Sequence, residues 1–209
     1  MNLRRRVLSL ISALPVVSVL IPMGHAQARQ LKPTPRDALG PFYPPNWAGE
    51  IDADLVAFGN NAYRDGTPLT VTGVVRGTDG RAIANALLEI WQTDNTGKYR
   101  HPDDGGEGPA QRGFQGYGRV FSDAEGRYRF RTIMPGLYGG RPPHIHLRVV
   151  ASGSKELVTQ LYFAGDNKER GGNFGFSKER AELTVTPTAL KDGDRNGLAA
   201  TFDVVLAKA

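Results

Sequence analysis

From Leu69 onward the chain alternates apolar and polar positions in short runs. Residues 69–76 (LTVTGVVR), 86–91 (ALLEIW), 118–122 (GRVFS), 128–132 (YRFRT), His144–Val150 (HIHLRVV) and 156–163 (ELVTQLYF) are rich in β-branched and aromatic side chains. This pattern predicts strands. Turn formers separate them at Thr78-Asp79-Gly80 and at Asp123-Ala124-Glu125-Gly126. Residues 181–185 and 200–206 complete the strand set, with a turn expected over residues 192–197 between them. Residues 93–116 are polar and glycine-rich and read as a long loop, residues 134–143 as a second, and residues 174–179 as loop-like. Strands at this spacing, with no convincing long helix, predict an all-β fold, a β-sandwich spanning residues 67–209.

The remainder of the chain has no such period. Residues 27–66 are proline-rich, and Gly40-Pro41-Phe42-Tyr43-Pro44-Pro45 suits neither a helix interior nor a central strand. An extended arm that packs through Phe42, Tyr43 and Trp47 is expected. Residues 1–26 read as a removed address: Arg4-Arg5-Arg6, an apolar run over residues 7–21, then small residues at Gly24 and Ala26. Cleavage after Ala26 fits best and after Ala28 nearly as well. The paired arginines followed by Val7 and Leu8 resemble a twin-arginine export signal, with a general secretory signal as the other reading. Both imply export, to the periplasm, with no stable membrane anchor.

Composition narrows the chemistry. The 209 residues suffice for one domain with a core, and 26 Gly with 14 Pro favour strands and turns over helices. There is no cysteine, so disulfides and thiolate-bound zinc or iron–sulfur sites are excluded. The net charge of +5 is spread along the chain apart from the first residues. Arg127, Arg129 and Arg131 alternate with Tyr128 and Phe130 as strand neighbours do, which is not a nucleic-acid stripe.

Of four histidines, two form His144-Ile145-His146. On a strand, i and i+2 share a face, so the imidazoles sit side by side while Ile145 turns into apolar packing. That is a half-site for a transition metal, although surface strands carry the same pattern. Tyr138 lies in the loop just before, and Tyr99 in the long loop. A phenol with a pKa near about 10 is a poor ligand unless the metal drives off its proton, which a ferric ion does. Taken singly, Tyr99 and Tyr138 read as packing aromatics, Arg141 as a solvated loop residue and Gln160 as a backbone hydrogen bonder. Trp91 and Phe130 read as core, His101 as structural or surface, and Asp103-Asp104 as a loop charge pair with no identifiable partner.

The joint pattern is more specific. Gly40-Pro41-Phe42-Tyr43-Pro44, EIWQTDNTGKYRH (89–101), SDAEGRYRFRTIMPGLY (122–138), GRPPHIHLRV (140–149) and TQLYF (159–163) occur in that order. Together they resemble the intradiol ring-cleavage dioxygenases, most strongly the iron-bearing subunit of the protocatechuate-cleaving members. The resemblance implies an intradiol-type β-sandwich holding Fe(III) through Tyr99, Tyr138, His144 and His146. It implies a catechol-type substrate opened with O2 to a muconate-type diacid, with no organic cofactor. Tyr138 would be the phenolate that leaves on substrate binding and Tyr99 the one that stays. Arg141 would stabilise negative charge on the ring, and Gln160 falls at a catalytic position. Either a homo-oligomer or a partner subunit is compatible with the family. Here only Gly139 and Gly140 separate Tyr138 from Arg141, fewer than in the protocatechuate enzymes, so a more open pocket mouth is expected. The rival reading is a non-enzymatic, transthyretin-like β-sandwich binding module, since the same strand-turn-strand text occurs there.

Overall fold

The computed structural model describes residues 30–44, 47, 50–59, 61–105, 113–165, 178–193 and 195–209. The export segment expected over residues 1–26, with His25, lies outside them. Among the described residues no helix is long and apolar enough to cross a membrane.

In chain order the elements are β1 (Ala57–Phe58), β2 (Asn61–Ala62), β3 (Pro68–Gly77), β4 (Leu87–Trp91), β5 (Tyr117–Phe121), β6 (Arg127–Ile133), β7 (His144–Val150), β8 (Leu157–Phe163), α1 (Lys178–Glu182), β9 (Thr184–Val185), β10 (Thr188–Asp192), β11 (Arg195–Thr201) and β12 (Val204–Leu206). One sheet centres on β3, which pairs antiparallel with β6 along one edge and parallel with β11 and β12 along the other; β10 extends it from β11. The other runs β5-β4-β7-β8-β9. Alternation decides what each sheet buries. Val71, Val75 and Phe130 from the first meet Leu88, Ile90, Ile145, Leu147, Leu161 and Phe163 from the second in one dry core.

The same period of two gives the second sheet an outer face. Register places Trp91, His146 and Gln160 in one row, His144 beside Tyr162 in the next, and Glu89 beside Arg148 beyond. The arm covers this face. Leu31 N–H donates to Thr78 O (2.8 Å), Thr34 N–H to Val205 O (2.9 Å) and Asp37 N–H to Val158 O (3.0 Å). A second apolar cluster then forms outside the sandwich from Phe42, Trp91, Tyr99 and Tyr117, with Tyr43, Trp47, Ile51 and Tyr138 packed against it. The arm's aromatics thus pack as their sequence implied.

Four expectations need correction. Residues 181–185 are not one strand: Ala181 and Glu182 close the helix α1, whose Lys-Glu-Arg-Ala-Glu text is helix-forming, and only Thr184–Val185 pairs with β8. Residues 200–206 are two strands that keep one register with β3 and are interrupted at Phe202-Asp203. There Asp203 Oδ1 takes the Val74 N–H (2.9 Å) that a regular ladder would use, and Phe202 O accepts from Tyr128 Oη (2.5 Å). The turn near Gly193 joins β10 to β11, not the two strands expected. β10 itself was missed because, as an exposed edge strand, it shows no alternation. Of the loop-like stretch 174–179, Lys178 and Glu179 open α1 and the rest lies outside the described residues. The hairpin of β1 and β2 within the arm was also unforeseen.

The close approach of Phe202 to β3 requires Gly73. A Cβ there would lie 2.0 Å from Phe202 O, a backbone atom that cannot step aside. Gly73→Ala should therefore lower unfolding free energy by about 1–3 kcal/mol, read from the urea midpoint at unchanged slope.

Candidate metal centre

His144 and His146 stand on the outer face of β7 with ring centroids 4.8 Å apart. Both are buried, although neither faces the sandwich core. His144 Nδ1–H donates to Pro142 O at 2.7 Å, an orientation that presents the Nε2 lone pair. His146 is held by stacking on Trp91, with centroids 4.9 Å apart and planes 5° from parallel. From above, Gly40 of the arm closes on it. A Cβ at Gly40 would meet His146 Cε1 at 2.9 Å, and the residue's φ is +73°.

Tyr99 reaches the pair from the long loop. Its hydroxyl lies 3.1 Å from His146 Nε2 and 3.4 Å from His144 Nε2. Three donor atoms remote in the chain therefore converge. The loop is built to aim this side chain. Asp94 Oδ1 accepts from Thr96 N–H (2.8 Å), Thr96 Oγ1 (2.6 Å) and Lys98 N–H (3.1 Å). Asp104 Oδ2 accepts the Tyr99 N–H at 2.5 Å, and Lys98 Nζ lies 3.7 Å from Asp104 Oδ1. Asp104 thus has the partner that could not be named from sequence. Asp103 lies beside His101, whose ring packs 5.5 Å from Phe42.

Tyr138 enters from the second loop. Its ring stands edge-on to Tyr99 at 5.3 Å and to Phe42 at 5.2 Å. The two tyrosine loops dock on one another through glycines. Gly136 N–H donates to Asp94 O (2.8 Å), and a Cβ at Gly97 would fall 1.8 Å from Leu137 O. Gly139 and Gly140, with φ of +54° and +72°, make the tight turn in which Arg141 N–H returns to Tyr138 O at 2.8 Å. Tyr138, half-buried, and Arg141 are brought side by side by that turn, and a Cβ added at either glycine would meet nothing within 4 Å. Arg141 Nη2 donates to Gln160 Oε1 (2.8 Å) and to the Tyr162 hydroxyl (3.4 Å).

The six candidate site residues, Tyr99, Tyr138, Arg141, His144, His146 and Gln160, therefore lie in one neighbourhood. Trp91, Gly40, Phe42, Asp37 and Tyr162 belong to it as well. Trp91 was read as core; its i+2 relation to Glu89 on an outward face could have flagged it. Nothing local marks Asp37 or Tyr162.

Burial dominates the electrostatics. It pushes the Tyr99 phenol well above its ordinary value, with the Arg141 cation opposing. It lowers His144 to about 4 and His146 to about 2, the neighbouring imidazole adding to the latter. Left to themselves, all three donors stay neutral. Among the described residues no group of three or more His, Asp or Glu gathers anywhere. A set of two imidazoles and one or two phenols fits a hard ion of high charge, which alone repays removing a proton from a buried phenol, better than zinc.

The family model described as Dioxygenase matches residues 38–208. The protocatechuate 3,4-dioxygenase beta chain of Burkholderia cepacia is 42% identical over 149 residues, 65% of this chain and 62% of that one. Catechol 1,2-dioxygenase 1 of Acinetobacter lwoffii is 34% identical over 186 residues, 80% of this chain and 57% of that one. The chain thus spans somewhat over half the length of these curated relatives. Among solved structures, the dioxygenase domain of a dioxygenase carbohydrate-binding protein fusion from Streptomyces sp. SirexAA-E aligns with a TM-score of 0.63 at 34% identity, over 85% of this chain and all (100%) of that one. Wild-type Acinetobacter radioresistens catechol 1,2 dioxygenase aligns with a TM-score of 0.67 at 26% identity, covering 88% of this chain and 65% of that one.

Two outcomes follow from the packing. Gly40→Ala should strain a left-handed residue by about 1–2 kcal/mol and press on His146, lowering both thermal stability and bound iron measured by elemental analysis. In the metal-free protein the depressed histidines should cost stability in acid. The unfolded chain takes up protons below its ordinary value of 6.5 whereas folded His144 does so only near 4. Stability should therefore fall as pH drops through that window, more steeply than in His144→Gln.

Proposed function

The chain belongs to the intradiol ring-cleavage dioxygenase family, and on that premise we propose that it opens catechol-type rings with O2 to muconate-type diacids. The family relation favours this over a non-enzymatic sandwich module. The observation that carries the reading is the meeting of the Tyr99 hydroxyl with both imidazole Nε2 atoms, 3.1 and 3.4 Å away, beside Tyr138 and Arg141. Iron dependence is general for the family. Here the ligands would be Tyr99, Tyr138, His144 and His146, and the donor chemistry fits Fe(III). When bound, the ferric ion supplies Lewis acidity that draws protons from phenols and electron density from a catecholate.

The residues then divide the work. Tyr99, His144 and His146 are buried and braced, and they hold their atoms in place. Tyr138 is half-buried on a diglycine turn, so it is the tyrosine freer to move; as a phenolate, ionised by the bound metal, it would take a proton from an incoming catechol. Arg141 faces the ligand group, where its positive charge lowers the proton affinities of Tyr99, His144 and His146 alike. Its guanidinium would stabilise negative charge developing on the ring. Gln160 holds that guanidinium in place. The short Tyr138–Arg141 turn supports an open mouth. Export of the enzyme is part of the proposal and rests on residues 1–26 alone.

Oxygen uptake by the iron-loaded protein with catechol, hydroxyquinol and protocatechuate, with products identified by mass, tests the activity. No uptake with any of them, in a protein carrying iron and showing the visible colour of a ferric phenolate, would remove it. Tyr99→Phe and His144→Ala should each lower iron content or turnover by a large factor. Arg141→Ala should spare iron and slow turnover by about 100-fold, the scale of one lost charge-stabilising donor.

A further inference from the structure

Arg141 follows a tight turn of two glycines on which nothing packs, so its long side chain is aimed by what its head group touches. Two relays leave that head group. One runs from Arg141 Nη2 to Gln160 Oε1 (2.8 Å), and from Gln160 Nε2 to Ala38 O (2.7 Å). The other runs from Arg141 Nη2 to the Tyr162 hydroxyl (3.4 Å), and from Tyr162 to Asp37 Oδ2 (2.9 Å). Both end on adjacent residues of the arm. Asp37 joins them, because its other oxygen accepts the Ala38 N–H at 2.6 Å. Its own N–H is pinned to Val158 O on β8 at 3.0 Å.

The direction of the second relay depends on a carboxylate at position 37. Tyr162 has one proton and two acceptors in reach, Asp37 Oδ2 at 2.9 Å and Gln160 Oε1 at 2.8 Å. A carboxylate is the stronger acceptor. When it takes the proton, the Tyr162 oxygen turns a lone pair to Arg141 and Gln160 Oε1 stays open for the same guanidinium. Without it, the Tyr162 proton goes to Gln160 and competes with Arg141 there. Arg180, 4.4 Å over the Tyr162 ring, holds that ring from its far face.

We propose that Asp37 is a positioning residue for Arg141, acting through Tyr162 and Ala38, so that the arm sets the aim of the charge serving ring cleavage. The proposal rests on the function inferred above. It assigns the arm a part in turnover that covering the sheet does not require. Asn is isosteric with Asp but offers one acceptor where two are used, so one of the two contacts fails.

The test is a double-mutant cycle of Asp37→Asn with Arg141→Ala, run beside Tyr162→Phe with Arg141→Ala. Asp37→Asn should lower kcat about tenfold, the scale of one coupled contact, with iron content and the ferric-phenolate band unchanged. In the Arg141→Ala background it should lower kcat no further. An equal loss in both backgrounds, or no loss in either, overturns the proposal and leaves Asp37 a docking residue. A second readout needs no iron. In the metal-free protein the nitrogen-15 signals of the Arg141 guanidinium, assigned by their disappearance in Arg141→Ala, should be those of a restrained group and should average in Asp37→Asn. Signals equally averaged in wild type also overturn it. If the guanidinium responds as expected but the wild-type protein opens no ring, the positioning stands and the activity reading is what fails.

Discussion

The structure depends on a covered sheet face. A sandwich buries one face of each sheet and leaves the other to water, and His144 and His146 project from the face that would be left wet. The arm changes this. Leu31 and Thr34 bond to Thr78 and Val205 on the first sheet and Asp37 bonds to Val158 on β8, so the arm passes from one sheet to the other, and Gly40, Phe42 and Tyr43 then close over His146, Tyr99 and Trp91. Burial of both histidines and of Tyr99 follows from that cover, and their shifted proton affinities follow from the burial. Without the arm the same strand would carry two ordinary surface histidines.

Backbone contacts rather than side-chain packing give the rest of the site its precision. Gly97 and Gly136 bring two loops distant in sequence close enough for main-chain contact, so the positions of Tyr99 and Tyr138 are not independent. The buried Lys98–Asp104 pair then fixes the Tyr99 backbone, while the turn at Gly139-Gly140 joins Tyr138 to Arg141. Rigidity is uneven. Tyr99 is enclosed and held at its main chain, and Tyr138 sits half-buried on the loosest turn of the site. That asymmetry suits the proposed division between a tyrosine that stays and one that moves.

A second carboxylate network lies farther along the same outer face. Glu89 is buried, accepts from the Tyr117 and Tyr43 hydroxyls, and pairs with Arg148 Nη1 at 2.6 Å, while Arg148 Nε also binds Glu156 at 2.8 Å. It ties the arm's Tyr43 to β4, β5 and β7 and so helps seat Phe42 beside Tyr99. Its Glu89, Arg148 and Glu156 are charged, which is why alternation alone presents them as surface positions.

Alternation and turn chemistry in the sequence were enough for six principal strands, because each half-buried strand writes its buried face as a period of two. They failed where that face is missing or shared: the exposed edge strand β10, the helical turn before β9, and the interruption at Phe202-Asp203, which lies against Gly73 on β3. The i+2 histidines and the two tyrosines were legible as residue types and spacings, and the ordered motifs around them were legible as a family. Their convergence was not, because nothing in residues 89–101 states where Gly97 will dock. Nor does residue 37 announce that its carboxylate will lie beside Tyr162. Local propensity is carried by neighbours along the chain and is therefore written in the sequence. A site assembled by register, loop docking and an overlying arm is carried by neighbours in space, which only the folded chain supplies.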